Sequence, residues 1–329
     1  MSANKKKYDS PLQATLTGIL GLFRKQNRVG VLSETERMEG KKVLITGASS
    51  GLGLAVAKQL AALGAEVIMA VRSGIPEKGE EVKIVSGNKK VTMLPVDLGD
   101  LNSIRTFVSV LKHQVGKIDI LICNAAIVVK QARKTESGLD EMFTVNYLAK
   151  FFLIKTLLVE ECFQRGNAVI PRIIFVSSES HRNPDAFEWD TFGAFQEHNM
   201  SKTVERYGYY KLLLTTFSQE LARRLNSFDQ TAYSIFALCP GPVNSNIARE
   251  APKWVQPVLK MVFRIFFNSP EKAAEPVVYL AASREQEGKA TDYLFLMSRK
   301  EMDEKATDPQ NGIRLWEATE NLLKSVIQD

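Results

Sequence analysis

The residues of this chain best suited to chemistry are Tyr207 and Lys211. Residues four apart share one face of a helix, and the apolar pattern from about Val204 to Leu225 predicts a helix there. A free tyrosine hydroxyl ionises near pH ~10, too high for ready proton exchange at neutral pH. A neighbouring lysine ammonium favours the phenolate and lowers that value. The pair can then act as general acid or base on a carbonyl or alcohol oxygen. Many surface helices carry this spacing, so the pair takes its weight from its company. That company is Ser177 and Ser178, at the end of a predicted strand Arg172–Ser177, and Asn146 inside a predicted upstream helix.

Other elements must bring a reaction partner to this pair. Val43, Leu44 and Ile45 form a short apolar run that reads as a buried strand. Thr46-Gly47-Ala48-Ser49-Ser50-Gly51-Leu52-Gly53 follows, and from Leu54 the apolar spacing becomes helical. Strand, glycine-rich turn and helix together make a phosphate site. Glycine lets backbone approach a ligand, and a helix N-terminus offers free N–H groups to an anion. A second strand, Glu66–Val71, ends at Arg72. An acidic residue at this point would bind a ribose 2′-OH, whereas arginine accommodates a 2′-phosphate. Arg72 therefore points to NADP(H) over NAD(H). Asp97 and Leu98 follow the third strand, Val91–Pro95. Asp97 is placed to meet an adenine ring or to cap the next helix. After the fourth strand, Ile118–Cys123, Asn124 and Ala125 leave little bulk where a cofactor would run close to the backbone.

Helical stripes at 51–63, 102–115, about 138–163 and 204–225 alternate with strands at 43–46, 66–71, 91–95, 118–123, 172–177, 232–238 and 292–297. Such alternation predicts an α/β fold, a doubly wound parallel sheet of about seven strands with helices on both faces. Ligands of such sheets bind at the carboxyl ends of the strands. The expected organisation is one nucleotide-binding domain over 39–300, an N-terminal extension 1–38 and a C-terminal tail helix in 301–329.

The net charge is +6 over 329 residues, with pI about 9.0. No basic face interleaved with aromatics suggests nucleic acid as a partner. Cys123, Cys162 and Cys239 show no paired spacing and read as buried thiols of a reducing compartment. His113, His181 and His198 form no ligand pair at helical spacing, so no metal is expected.

Taken together, the chain resembles the short-chain dehydrogenase/reductase family. The resemblance rests on Thr46 to Gly53, Asn124-Ala125-Ala126, Asn146, Ser178, Tyr207 with Lys211, and Pro240-Gly241, in the family's order over about 200 residues. It implies a Rossmann-type fold and hydride transfer to or from a nicotinamide. It also implies roles. Tyr207 would be the acid/base, and Lys211 would hold the cofactor ribose and lower the tyrosine pKa. Ser178 would bind the substrate oxygen, Asn146 would hold a relay water, and Pro240, Gly241 and Val243 would border the cofactor. Within the family, FTVNYLAKFFL, RIIFVSSESH, YGYYKLLLTTFSQELARRL and CPGPVNSNIARE look most like the retinol dehydrogenase-like, lipid-carbonyl reductase group. Ala126 departs from the family's glycine. The stretch His181–Glu205 is an insert whose Phe187, Trp189, Phe192 and Phe195 are expected to line or cover a substrate pocket.

Two amphipathic stretches bear on location. Residues 10–25 are too short to span a bilayer; they can pack on the body, meet a second subunit in a homodimer, or lie in a membrane plane. Residues 253–268, KWVQPVLKMVFRIFFN, fall in the stretch about 245–270 where the resemblance implies a substrate lid; they are basic and aromatic, and suit a membrane surface or a buried contact. The expectation is a cytoplasmic protein, peripheral on a membrane, acting on a small lipophilic substrate such as a retinoid, steroid or long-chain lipid. The alternative is a non-catalytic cofactor-binding scaffold or sensor of the same fold. A sugar-nucleotide epimerase shares the Tyr-x-x-x-Lys pair, but its glycine spacing differs from that of Gly47, Gly51 and Gly53.

Overall fold

Uninterrupted apolar runs build the centre of the molecule. The computed structural model describes residues 29–166, 169–241 and 268–327. In it β1 (Lys42–Thr46), β2 (Glu66–Val71), β4 (Ile120–Cys123), β5 (Arg172–Val176) and β6 (Ser234–Cys239) are buried almost throughout. Strands covered on both faces lose the polar alternation of a half-exposed strand. With β3 (Val91–Pro95), β7 (Thr291–Phe295) and β8 (Ser298–Arg299) they form one sheet of order β3-β2-β1-β4-β5-β6-β7-β8. All neighbours are parallel except β7 and β8. Strand order reverses between β1 and β4, and a ligand crevice opens at such a point.

Helices cover both faces. On one face α1 (Gly51–Ala62) and α2 (Glu77–Ser86) join a core of Val43, Ile45, Val67 and Ile122. On the other, α3 (Leu101–Gln114) packs on Leu44, Ile68 and Leu121. The segment Glu141–Val159 lies on that same face in three pieces: α4 (Glu141–Phe143), a π-helical turn Thr144–Leu148, and α5 (Ala149–Val159). Further on come α6 (Met200–Leu225), α7 (Pro270–Ala282), the short α8 (Glu304–Thr307) and α9 (Pro309–Val326). Ser269 caps α7 by accepting from the Lys272 N–H, with Pro270 in its first turn. Buried Arg172 donates to the Leu280 and Ala281 carbonyls at the other end of α7, where a cation suits the helix dipole.

Several boundaries differ from expectation. The helix expected over 138–163 starts after Asp140, which accepts from the Phe143 N–H, and ends before Glu161, whose φ is 52°. Its five-residue π turn is invisible to periodicity because every residue in it is buried. Helix α2 was not anticipated: it buries only Gly79 and Val82, too few for an apolar stripe. The two-residue β8 is an eighth, antiparallel strand, too short to leave a pattern. Asp97 does not cap α3; Asp100 does, accepting from the Asn102 N–H. Among the described residues, Glu141–Val159 alone is long and apolar enough to cross a membrane, and most of it is buried in the protein core. Residues 10–25, most of 253–268, most of the lid region and Val243 lie outside the described residues.

Candidate active site

The turn after β1 is built from backbone. Gly47 and Gly51 have φ of 67° and 53°, where side chains are strained. A Cβ on Gly53 would sit 2.3 Å from the Gly47 carbonyl oxygen and 2.5 Å from Asn124 Nδ2. Asn124 explains the closeness: its amide donates to the carbonyls of Thr46 at 3.0 Å and Gly47 at 3.1 Å. The backbone N–H groups of Asn124 and Ala125 donate to Thr46 Oγ1 at 3.1 and 3.2 Å. The ends of β1 and β4 are thereby locked together. Ser50 precedes α1 without a side-chain cap bond, and no acid stands in the first turn. A Cβ on Gly51 would meet nothing within 4 Å. Uncapped N–H groups facing open space fit the pyrophosphate of a dinucleotide. Leu52 packs against the core. Arg72 is exposed at the end of β2, and the Gly74 loop beside it lies against Ser49. Asp97 accepts from the Gly99 N–H at 2.8 Å, and Leu98 is buried.

Across the crevice, β5 ends in two serines with different surroundings. Ser177 is buried, its hydroxyl 2.7 Å from Thr215 Oγ1. Ser178 is half-buried and opens a 3-10 turn, Glu179–Arg182. Helix α6 approaches this turn closely because Gly208 has no side chain: a Cβ there would lie 2.9 Å from the Ser180 carbonyl oxygen. Tyr207, one residue before, is on the helix turn that packs on the serine turn. Lys211 is buried, donates to the Val176 carbonyl at 2.7 Å, and lies 5.4 Å from the centre of the Tyr207 ring. Gly241, with φ 75°, follows buried Pro240 and lies against Leu296. Asn146 is buried in the π turn. Its side-chain oxygen accepts from the Ile127 N–H at 2.8 Å, and its amide donates to the Ile127 carbonyl at 2.9 Å.

The electrostatics correct one expectation. Burial pushes the Tyr207 hydroxyl above its usual range, and nearby Cys239 adds to the rise. Burial also lowers Lys211 to about 8. The lysine lies over the ring and bonds a carbonyl, and desolvation sets the direction of the tyrosine's shift. Among the protein's own groups, Tyr207 is therefore a protonated acid at neutral pH.

Other groups at this site carry no motif. His181 is fully buried. Its Nδ1 lies 2.7 Å from the Ser178 carbonyl, and its Nε2 accepts from the Asp303 N–H at 3.2 Å. These partners assign the proton to Nδ1. Burial holds its pKa down at about 4. Glu179 accepts from Tyr293 and Lys300, so the chain after β7 is pinned onto the serine turn. Lys150 is completely buried on α5; a lysine inside the apolar run AKFFLI was its available signal.

The insert aromatics pack on the body of the protein. Phe192 packs edge-on to Phe143 at 5.5 Å, Phe187 stacks on Trp189 at 4.7 Å, and Arg314 of α9 covers Trp189 at 4.6 Å. These three rings join the main core between α4 and α9, while Phe195 lies under Lys134. Cys123, Cys162 and Cys239 are all buried thiols.

Known proteins match this architecture. Residues 41–189 match the family described as short chain dehydrogenase. Human retinol dehydrogenase 14 is 34% identical over 308 residues, covering 87% of both chains. Mouse retinol dehydrogenase 12 is 30% identical, covering 89% of this chain and 90% of its own. A solved structure from Mycobacterium paratuberculosis superposes with a TM-score of 0.67 at 25% identity, covering 90% of this chain and 98% of that one. A short-chain dehydrogenase/reductase from Serratia marcescens superposes with a TM-score of 0.57 at 22% identity, over 82% and 99% of the two chains. The chain belongs to the short-chain dehydrogenase/reductase family, retinol dehydrogenase-like in sequence, and is an NAD(P)-dependent oxidoreductase of CH–OH and C=O groups.

Proposed function

We propose that this protein is an NADP(H)-dependent oxidoreductase of a hydrophobic carbonyl or alcohol, with Asn146, Ser178, Tyr207 and Lys211 as its catalytic set. The carrying observation is what stands at the carboxyl ends of β1 and β5. One wall is an uncapped helix N-terminus; the other presents a half-buried Ser178 and the Tyr207–Lys211 pair. A bound nicotinamide supplies or accepts the hydride. Ser178 donates a hydrogen bond to the substrate oxygen and orients it toward Tyr207. Tyr207, protonated at neutral pH, gives its hydroxyl proton to that oxygen in reduction and recovers it in oxidation. Lys211, fixed on the Val176 carbonyl, is positioned to hold the cofactor ribose. Asn146, its side chain anchored on the backbone of Ile127, holds a water of the proton relay.

The cofactor preference is argued from Arg72, exposed at the end of β2 next to the Ser49 side of the turn. A guanidinium complements a 2′-phosphate and offers nothing comparable to a 2′-OH. Thr46, Gly47, Ser49, Ser50, Gly51, Leu52, Gly53, Asp97, Leu98, Asn124, Ala125, Pro240, Gly241 and Val243 complete the proposed cofactor contacts. A lipophilic substrate is supported by the retinol dehydrogenases among the relatives. The basic, aromatic stretch 253–268 and the amphipathic stretch 10–25 support peripheral membrane association. The test is a panel of isoprenoid, steroid and long-chain aldehydes with NADPH and NADH in parallel. Turnover of hydrophobic members with NADPH is expected; tight cofactor binding with no turnover across the panel contradicts the proposal and supports a scaffold. Flotation of the full chain with anionic liposomes is expected, and a fully soluble protein contradicts the membrane reading.

A further inference from the structure

Lys150 occupies an unusual place. It is 0% exposed, one of the largest fully buried side chains in the molecule. Its Nζ donates to the Ala125 carbonyl at 2.7 Å and to the Val145 carbonyl within the π turn. A buried ammonium costs several kcal/mol in desolvation unless its donors are used, and an apolar residue would fill this helix position at no such cost. The two acceptors explain its presence. Val145 adjoins Asn146, one turn before Lys150 on the same helical segment. Ala125 belongs to the strip whose N–H bonds Thr46 Oγ1 and whose Cα a Cβ on Gly47 would meet at 2.9 Å. Lys150 therefore connects the turn carrying Asn146 to the strip that supports the glycine cradle. The Asn146 amide makes a parallel connection, two residues along, at Ile127.

We propose that Lys150 is a positioning residue that fixes the Asn146 turn against the cofactor strip after β4. This rests on the proposed role of Asn146. Two other titratable groups face Lys150: Cys123 on β4 and Lys211 on α6. Burial first, and the Lys211 charge second, depress Lys150 to about 7. Among the described residues, Lys150 is thus held in place by its carbonyls and not by a counter-ion.

The test compares Lys150→Met and Lys150→Gln with the full-length wild type. In the cofactor-free protein, amides of 125–127 and 144–148 are expected to exchange faster with deuterium in Lys150→Met. With cofactor and substrate, kcat is expected to fall on the order of tenfold or more, as for a displacement of about 1 Å. KM for the cofactor is expected to change far less. Lys150→Gln, which keeps an amide donor, should lie between Met and wild type in both readouts. Wild-type exchange and wild-type kcat in Lys150→Met overturn the proposal. So does a lowered Tm with unchanged kcat, and so does a Gln variant no better than Met. Exchange is read without turnover. An inactive wild type whose exchange still depends on Lys150 would contradict the proposed function and leave this connection standing.

Discussion

On the β1 side of the crevice, Gly47, Gly51 and Gly53 form a cradle from backbone, secured by the uncharged side chains of Thr46 and Asn124. On the β5–β6 side, Ser178, Tyr207 and Lys211 are set by buried, titratable groups whose pKa values have moved far from their usual positions. The first wall needs space and fixed N–H dipoles, and both survive any pH that leaves the fold intact. The second must exchange protons, so its geometry and its charge state are coupled. Lys150 ties the Asn146 turn to the strip after β4 that supports the first wall.

The largest expected effect attacks the backbone wall. In Gly53→Ala, the new Cβ would lie 2.3 Å from the Gly47 oxygen, a backbone atom that cannot swing aside. Loss of cofactor binding is expected, together with destabilisation of a few kcal/mol (roughly 1–3). Calorimetry with and without NADPH measures both, and wild-type affinity would show that the cradle is not built as described.

The next effect belongs to the titratable wall. His181 has a folded pKa of about 4 against 6.5 when free. The unfolded chain takes up its proton first, so this contribution is complete above pH 6.5 and is lost as pH falls toward 4. At about 1.4 kcal/mol per pKa unit, the loss is about 3 kcal/mol. The Tm of the wild type should fall more steeply across this window than that of His181→Asn. Parallel curves would sever the serine turn from the histidine.

Arg72→Ala sharpens the contrast at lower cost. It should raise KM for NADPH by about tenfold, the loss of one charge-assisted contact, and leave KM for NADH nearly unchanged. Equal changes with both cofactors would remove the 2′-phosphate from the account. Smallest is Glu320→Gln, which breaks an exposed pair with Lys155 between α9 and α5. Less than about 1 kcal/mol is expected, because Trp316, packed 4.8 Å from Phe151, already holds α9 in place.

The same division explains what could be read from the sequence. The glycine turn, the strands on either side of it and α1 follow local rules of glycine, apolar runs and helix spacing, so their positions are legible residue by residue. Tyr207 and Lys211 are legible as a spacing, and their proximity to Ser178 follows from topology. The shift of Tyr207 was not legible, because it depends on desolvation by elements distant in sequence. The same holds for His181, whose partners are Ser178 and Asp303, and for Lys150, whose partners are backbone carbonyls. Helix α2 had signals that periodicity passes over, Pro76 before it and Gly87 after it with φ 70°. The packing of Trp189 was not legible either, because Arg314 of α9, which lies over it, is more than a hundred residues downstream.

The central claim is that the two walls divide the work, one holding the cofactor and the other moving the proton. Tyr207→Phe tests it most directly, with nicotinamide absorbance followed against a hydrophobic aldehyde and NADPH affinity measured by fluorescence titration on the same preparation. The account predicts a fall in kcat on the order of 10²- to 10⁴-fold, the usual contribution of a positioned acid, with NADPH affinity retained. Wild-type turnover in that variant would contradict it.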